Sequence, residues 1–443
     1  PIDADQKLQE DALMSYVASV NYSYGDKYYA SFSFRRDGSS RLSPDTRWGN
    51  FWSLSASWRL SQEKFMQSLK SVLSDLKLRA SYGVNGNLPS SYYGYQSTYT
   101  TGAFYNGKPS PWESTLGNEE LTWEKNYALN LGLDIGLFSR VNVSLDWYTR
   151  TTKDLLMSKQ LNSISGFSSL LTNVGQMRNT GVELEVRSNN IKTKDFSWTT
   201  AFNLSHNKNK ILKLADLPWF VDGRYVRKEG YPFNTIYLRE YAGVDPETGS
   251  ALYYDNQQDE NGNYTKNKVT DPGQASPIPL KDITPTISGG FMNTFNYKFI
   301  DLSFNLSYSF GGYSYDNASY ILQDDGYSVI SNKSTEQRRR WQKPGDITDV
   351  PRFVYGNKKG GNYNSSRAIH STDHIRLKSL ILGLNAPKAW LQKLGIGNAR
   401  IYFSGTNLLT WAAYGQYDPE MSGVVGFYTP PLKTYAFGLE LKF

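Results

Sequence analysis

Aromatic or aliphatic residues alternate with small or polar ones, residue by residue, in segment after segment of this sequence. Trp48, Trp52, Leu54, Ala56, Trp58 and Leu60 fall on one side of an extended chain, opposite Ser53, Ser55, Ser57 and Arg59. Tyr127, Leu129, Leu131, Leu133 and Ile135 likewise oppose Asn126, Ala128, Asn130, Gly132 and Asp134. The rhythm returns in Leu302, Phe304, Leu306, Tyr308 and Phe310 against Asp301, Ser303, Asn305, Ser307 and Ser309, and in Phe196, Trp198, Phe202 and Leu204 against Ser197, Thr199, Asn203 and Ser205. A period of two marks β-strands with chemically different faces, and segments of about ten residues match tilted strands that cross an outer membrane. A β-sandwich alternates too, but its polar face carries Lys, Glu and Thr toward bulk water. Here that face is dominated by Ser, Asn, Gly and Asp, small polar groups that suit a crowded, wet lumen.

The alternating segments predict about thirteen strands, starting near residues 14, 27, 48, 74, 123, 139, 179, 195, 286, 299, 372, 397 and 432. Short or modest links follow the odd strands, at residues 25–27, 60–74, 138–140, 188–195, 298 and 387–395. Long links rich in Tyr, Gly, Asn and Pro follow the even strands, at 35–47, 83–121, 149–179, 206–285, 311–371 and 411–431. Short turns on one side and long loops on the other are the asymmetry of an all-β, transmembrane antiparallel β-barrel with long extracellular loops and short periplasmic turns. Trp48, Trp58, Trp123, Trp147 and Tyr148 stand toward strand ends, where aromatic girdles meet the membrane interfaces. The last alternating run, Tyr435, Phe437, Leu439, Leu441 and Phe443, reads as the barrel-insertion signal; its plainer reading is a terminal amphipathic strand.

Composition removes the rival classes. Of 443 residues 39% are hydrophobic and 15% aromatic, and no apolar run nears the roughly 18 residues of a membrane helix. That aromatic content also argues against disorder. With no cysteine there is no disulfide framework, thiol catalysis or Cys-ligated metal. The +7 formal charge comes from 48 basic and 41 acidic residues, a mixed surface more than a basic stripe, so no nucleic-acid partner is expected. The sequence opens at Pro1 without a charged n-region or an apolar h-region, and any targeting signal is expected to have been removed or to lie upstream.

Longer strings carry a resemblance. LTWEKNYALNLGLDIGLFSRVNVSLDWYTRTTKDLL (Leu121 to Leu156) and FRRDGSSRLSPDTRWGNFWSLSASWRL (Phe34 to Leu60) are similar to recurring blocks of the SusC/RagA family of TonB-dependent outer-membrane transporters. So are GQMRNTGVELEV (Gly175 to Val186), GVDPETGSALYYD (Gly243 to Asp255), RRWQKPGDITDVPRF (Arg339 to Phe353), DHIRLKSLILGLNAP (Asp373 to Pro387) and ARIYFSGTNLLTW (Ala399 to Trp411). The resemblance implies a large barrel plugged by a separate N-terminal domain, importing oligomeric nutrients with a SusD-like surface lipoprotein as its lid and TonB as its energy source. It also implies the outer membrane of a Gram-negative, Bacteroidetes-like bacterium, with a dimer of transporter–lid pairs as one assembly. The family's plug and TonB-contacting segment precede the barrel, and neither is found in this sequence. Residues 1–443 are therefore expected to be the C-terminal portion of the barrel, with the plug and N-terminal strands absent from this chain. Strand parity places Pro1 in an extracellular loop and leaves about nine of about 22 strands to an upstream segment, which would pair with the open edges.

Chemical motifs are weak. His370 and His374 have the i, i+4 spacing of a helical zinc site, but they enter a strand and lack an acidic partner, so loop hydrogen bonding is preferred and no metal site is expected. Gly102 to Lys108 reads GAFYNGK, yet Pro109 occupies the Ser/Thr position of a phosphate loop, which leaves a turn on Asn106 and Gly107. Asp255, Asp259 and Asn261 before Gly262 faintly resemble a calcium loop in an extracellular connection, against a solvated polar turn. Arg338, Arg339 and Arg340 beside Trp341, with Lys343, are candidates for a partner or lipopolysaccharide contact, against a solvated loop face. No nucleophile elbow or other catalytic arrangement appears, and an enzyme is not expected.

Loop aromatics are the clearest hint of ligand chemistry. Tyr92, Tyr93, Tyr95, Tyr105 and Trp112, with Tyr99, crowd one long connection. Such rings stack on sugar faces or grip peptide side chains, and their plainer role is packing the loop onto its neighbours. The leading expectation is therefore an importer of oligosaccharides, with oligopeptides as the second substrate class. A passive porin-like surface barrel would conduct without a plug, and a soluble glycan-binding β protein would need no detergent.

Overall fold

The computed structural model describes residues 8–102, 104–214, 217–357, 364–387, 390–391 and 395–443. Among them are thirteen long strands: β1 (Leu13–Tyr24), β2 (Tyr28–Ser39), β3 (Trp48–Arg59), β4 (Leu73–Asn87), β5 (Glu124–Leu137), β6 (Val141–Lys153), β7 (Gln176–Lys192), β8 (Phe196–Lys213), β9 (Ile287–Tyr297), β10 (Ile300–Phe310), β11 (His374–Asn385), β12 (Asn398–Ala412) and β13 (Thr434–Lys442). Each start lies within three residues of the one read from the alternation. The chain divides into two compact units, the first built on residues 1–188 with 207–218 and 228–231, the second on 189–206, 219–227 and 232–443.

Within the first unit β1 to β7 pair antiparallel in sequence order. Within the second, β8 to β13 do the same. Register keeps like faces together. Tyr28, Ala30, Phe32 and Phe34 stand opposite Trp58, Ala56, Leu54 and Trp52, while Ser31 and Ser33 stand opposite Ser55 and Ser53. Because side chains alternate strictly, a slip of one residue would move every ring to the polar face. Trp52, Leu54, Leu131 and Trp147 remain substantially exposed on the apolar face, a band far larger than water-soluble monomers tolerate.

The polar face is wired by ion pairs for which glycines make room. Arg79 reaches Asp134 at 2.8 Å and Asp146 at 2.9 Å across three strands of the first unit. A Cβ on Gly132 would lie 2.5 Å from that guanidinium. In the second unit Arg400 meets Asp301 at 2.7 Å, and a Cβ on Gly383 would come within 2.5 Å of the same carboxylate.

β11 carries a bulge at Lys378: Leu306 pairs with Leu377 and Asn305 with Ser379, leaving one residue unmatched. Opposite it, β12 steps from Thr406 to Leu409, with Asn407 at φ 52°. The extra residue shifts alternation by one, so His374 and Arg376 turn away from the apolar face while Ile375 and Leu377 stay on it.

Two girdle expectations need correction. Trp123 is buried, edge-on to Phe51 at 5.2 Å, and donates from Nε1 to the carbonyl of Arg47. With Leu42, Val84 and Leu121 it forms a small core over one end of β3–β5. Tyr148 pairs opposite Asn130 on the polar face and donates to Asn207. The long connections also hold more structure than their composition suggests. Residues 219–282 include strands of a four-stranded and a three-stranded sheet.

Candidate functional site in the loop rim

In the first unit the aromatic connection after β4 folds as two nested hairpins, Thr98–Thr100 with Trp112–Thr115 and Phe104–Tyr105 with Lys108–Pro109. Asn106 and Gly107 both take positive φ at the inner tip, which is why those residues turn the chain there. Ala103, within the motif read from Gly102 to Lys108, lies outside the described residues. The expected rings separate into two groups. Tyr92 lies under the Arg41 guanidinium at 4.1 Å, Tyr93 accepts from the Glu10 amide at 3.3 Å, and Tyr95 accepts from Gln96. Tyr105 and Trp112 instead project into solvent, as does Tyr99. The first group anchors the loop, and the second presents free ring faces.

A site that the loop aromatics did not announce lies in the second unit. A cavity of 590 Å³ opens between α1 (Asn317–Leu322), the ends of β11 and β12, and the connection 413–431. Asp316 caps α1 through the Ser319 amide at 2.9 Å and accepts from the Tyr414 hydroxyl at 2.9 Å. His370 stacks on Tyr414 at 3.7 Å, with the rings 2° from parallel. Tyr417 hydrogen-bonds Ser314 beside them. Burial pushes the Tyr414 and Tyr417 hydroxyls up and the His370 imidazole down, so these groups stay neutral near pH 7.

The other wall is charged. Arg376 is 2% exposed and donates to Asp418 at 2.7 Å and Glu420 at 3.1 Å. Lys378 reaches Glu420 at 2.6 Å, and His374 Nε2 stands 3.8 Å from the same residue. Arg376 Nε has no hydrogen-bond partner among the described residues. Phe427 and Tyr428 expose their rings, and Gln323, Ser334, Thr410 and Gln416 also line the cavity. The arrangement offers stacking surfaces, neutral hydrogen-bonding groups and a fixed cation with its acids, with no activated nucleophile among the described lining residues. A signal for it existed: His374, Arg376 and Lys378 put three cationic or titratable groups on one strand, and Asp418 with Glu420 supplies the acids.

The remaining candidates are engaged locally. Arg339 pairs with Glu336 at 2.8 Å and Asp349 at 3.3 Å, and Arg340 donates to the Gln337 carbonyl. Trp341 donates to the Pro246 carbonyl and covers Gly249, while Arg338, Arg339, Arg340 and Lys343 are all exposed. Asp255 accepts from Thr265 and Asn267, and Asp259 from the Asn261 and Asn263 amides, contacts within the loop itself. His374 Nδ1 lies 2.8 Å from the Thr372 carbonyl. Tyr435, Phe437, Leu439 and Leu441 line the apolar face of β13, with Phe443 just beyond it, and all five are exposed.

Exposed apolar strand faces, a glycine-spaced polar face and a folded loop rim define the wall of an outer-membrane type β-barrel. The profile described as "TonB dependent receptor-like, beta-barrel" matches residues 6–275, and the chain belongs to that family. It is 33% identical to TonB-dependent receptor P3 of Formosa agariphila, over 98% of this chain and 46% of that receptor. It is 30% identical to TonB-dependent receptor SusC of Bacteroides thetaiotaomicron, over 99% and 45% respectively. Among solved structures, the RagAB peptide transporter superposes with a TM-score of 0.88 at 31% identity, covering 98% of this chain and 48% of that one. The chain thus spans slightly less than half the length of these relatives. They confirm the SusC/RagA resemblance.

Proposed function

We propose that this chain supplies wall and extracellular rim to an active importer of oligomeric nutrients in the outer membrane of a Bacteroidetes-type bacterium. It works with a SusD-like surface lipoprotein and draws energy through TonB. The observation that carries this reading is the rim cavity beside α1, where ring faces, amides and hydroxyls converge at one end of the strands. Oligosaccharides are the first substrate class, because Phe427 and Tyr428 offer stacking surfaces and Gln323, Gln416 and Thr410 offer neutral hydrogen bonds that sugar hydroxyls match. Oligopeptides are the second, favoured by the buried Arg376 with its two acids and by the likeness to a peptide transporter. The apolar strand faces meet lipid, and the Ser-rich faces line the lumen.

The test is binding by the purified receptor with its copurifying lipoprotein, offered size-graded oligosaccharides and peptides in parallel by calorimetry. Retention of one oligomer class, and loss of its binding in Tyr428→Ala or Gln416→Ala, supports the reading. An open, unplugged conductance in planar bilayers with no oligomer binding would replace it with a passive pore.

A further inference from the structure

One connection at the short-turn end is neither short nor a simple turn. Between β3 and β4, residues 60–72 form two 3₁₀ segments, Leu60–Gln62 and Lys64–Leu69, extended by a bond from the Val72 amide to the Leu69 carbonyl at 3.0 Å. In such a helix side chains three apart eclipse. Met66, Leu69 and Val72 therefore share one side, flanked by Phe65, while Lys64 and Lys70 share another. Phe65, Leu69 and Val72 are 65%, 51% and 48% exposed. The neighbouring turn adds Phe138, 57% exposed, whose amide donates to the Val72 carbonyl at 2.7 Å, and Arg140 follows it.

The segment is tied to the apolar side of the sheet. Glu63 accepts from the Tyr28 hydroxyl at 2.7 Å and Trp58 Nε1 at 3.2 Å, and both rings belong to the apolar face. Lys27 neutralises that carboxylate at 2.9 Å. The side chains of Lys64, Lys70 and Arg140 make no ion pair or hydrogen bond among the described residues, so three cations stand free beside four exposed apolar groups. An apolar groove of 890 Å³, lined by Tyr28, Trp58, Leu78, Leu133, Leu145 and Trp147, opens on the same face next to them.

We propose that residues 63–72, with Phe138 and Arg140, form an interfacial anchor that binds anionic phospholipid of the periplasmic leaflet. Phe65, Leu69, Val72 and Phe138 sit at the boundary of headgroups and acyl chains, Lys64, Lys70 and Arg140 meet the phosphates, and the groove takes an acyl chain. Two features select this occupant over a protein. The apolar patch is continuous with the strand face that meets lipid, and its flanking free charges are all cationic, complementary to an anionic headgroup. The proposal rests on the membrane-spanning reading above.

Native mass spectrometry of the full-length receptor in detergent, titrated with phosphatidylglycerol or phosphatidylcholine, tests it. Each cation near an anionic surface is worth about fivefold in partitioning. Lys64→Gln, Lys70→Gln and Arg140→Gln together should lower phosphatidylglycerol affinity at least about tenfold, with discounting for exposure, and leave phosphatidylcholine unchanged. Phe65→Ser with Leu69→Ser should weaken both lipids. For the unsubstituted receptor, raised ionic strength should weaken phosphatidylglycerol alone, a readout that needs no variant to fold. Equal affinity for the two lipids, or a triple variant that keeps phosphatidylglycerol binding within about twofold, would overturn the anchor. A receptor that needs no detergent and shows no heat-modifiable migration would instead remove the membrane reading beneath it.

Discussion

Leu131 and Asn130 are adjacent on β5 and face opposite ways, which makes them a controlled pair for the orientation of the sheet. Leu131 is 46% exposed and stands between Ala80 of β4 and Trp147 of β6. Asn130 stands between Ser81 and Tyr148. An arginine on the lipid side near mid-membrane costs about 2 to 4 kcal/mol, and at 1.4 kcal/mol per decade this lowers the folded population ratio by roughly 30- to 700-fold. An arginine among Ser81, Tyr148 and the neighbouring Arg79 cluster keeps its hydration and costs about 1 kcal/mol or less. Leu131→Arg should therefore abolish most heat-modifiable barrel in outer-membrane fractions and shift urea unfolding in lipid vesicles, while Asn130→Arg should assemble near normally. Equal tolerance of the two, or failure of Asn130→Arg alone, would refute the assignment of faces.

Deleting residues 92–112 should reduce oligomer binding or uptake while heat-modifiable migration persists, because the loop lies outside the strands that build the sheet. Arg376→Met leaves Asp418 and Glu420 with Lys378 and His374 as partial substitutes, so global folding should survive, while limited proteolysis of the 413–431 connection should accelerate. Burial, opposed by Asp316, holds His370 below its ordinary pKa. Its contribution is thus complete above the unfolded value of about 6.5 and is lost as pH falls through the lower folded value. Protection of residues 366–371 against hydrogen exchange, relative to the intrinsic rate at each pH, should fall from about pH 7 to 5, and His370→Asn should flatten that dependence. Truncating Phe443 and replacing Phe437 with Ser should slow assembly into the outer membrane, read as accumulation of unfolded receptor by pulse labelling.

The face and start of each long strand were legible because alternation is a local property. Ser53, Ser55 and Ser57 declare their side without any knowledge of their neighbours. What covers a strand end is not local, and Trp123 shows the difference. It has the position of a girdle residue, yet Leu42 and Leu121, from two separate connections, close over it. The small sheets of the long loops escaped for another reason: strands of four residues, such as Thr235–Leu238, are too short for a period to register. The rim cavity assembles Asp316, Arg376 and Asp418 from positions up to about a hundred residues apart, brought together by the register of β11 with β12 and by the parallel pairing of residues 314–316 with 423–425. The aromatic loop was visible because its rings fall within one stretch of about twenty residues. Its division into anchoring and presenting rings was not, since Arg41 and Glu10 come from elsewhere in the chain.

The unmatched residue at Lys378 gives the rim a heredity of its own. Pairing it as an ordinary strand residue would impose uninterrupted alternation from Ser379 back to His374, with no letter of the sequence altered. His374 and Arg376 would turn toward lipid and Ile375 and Leu377 toward the cavity, whereas deleting Lys378 along with the bulge would leave both faces where they are. Substitutions can tune the cavity one group at a time, whereas loss of the bulge with Lys378 kept exchanges its whole wall. Lineages descended from such a barrel should therefore keep the bulge and its extra residue together or lose both together.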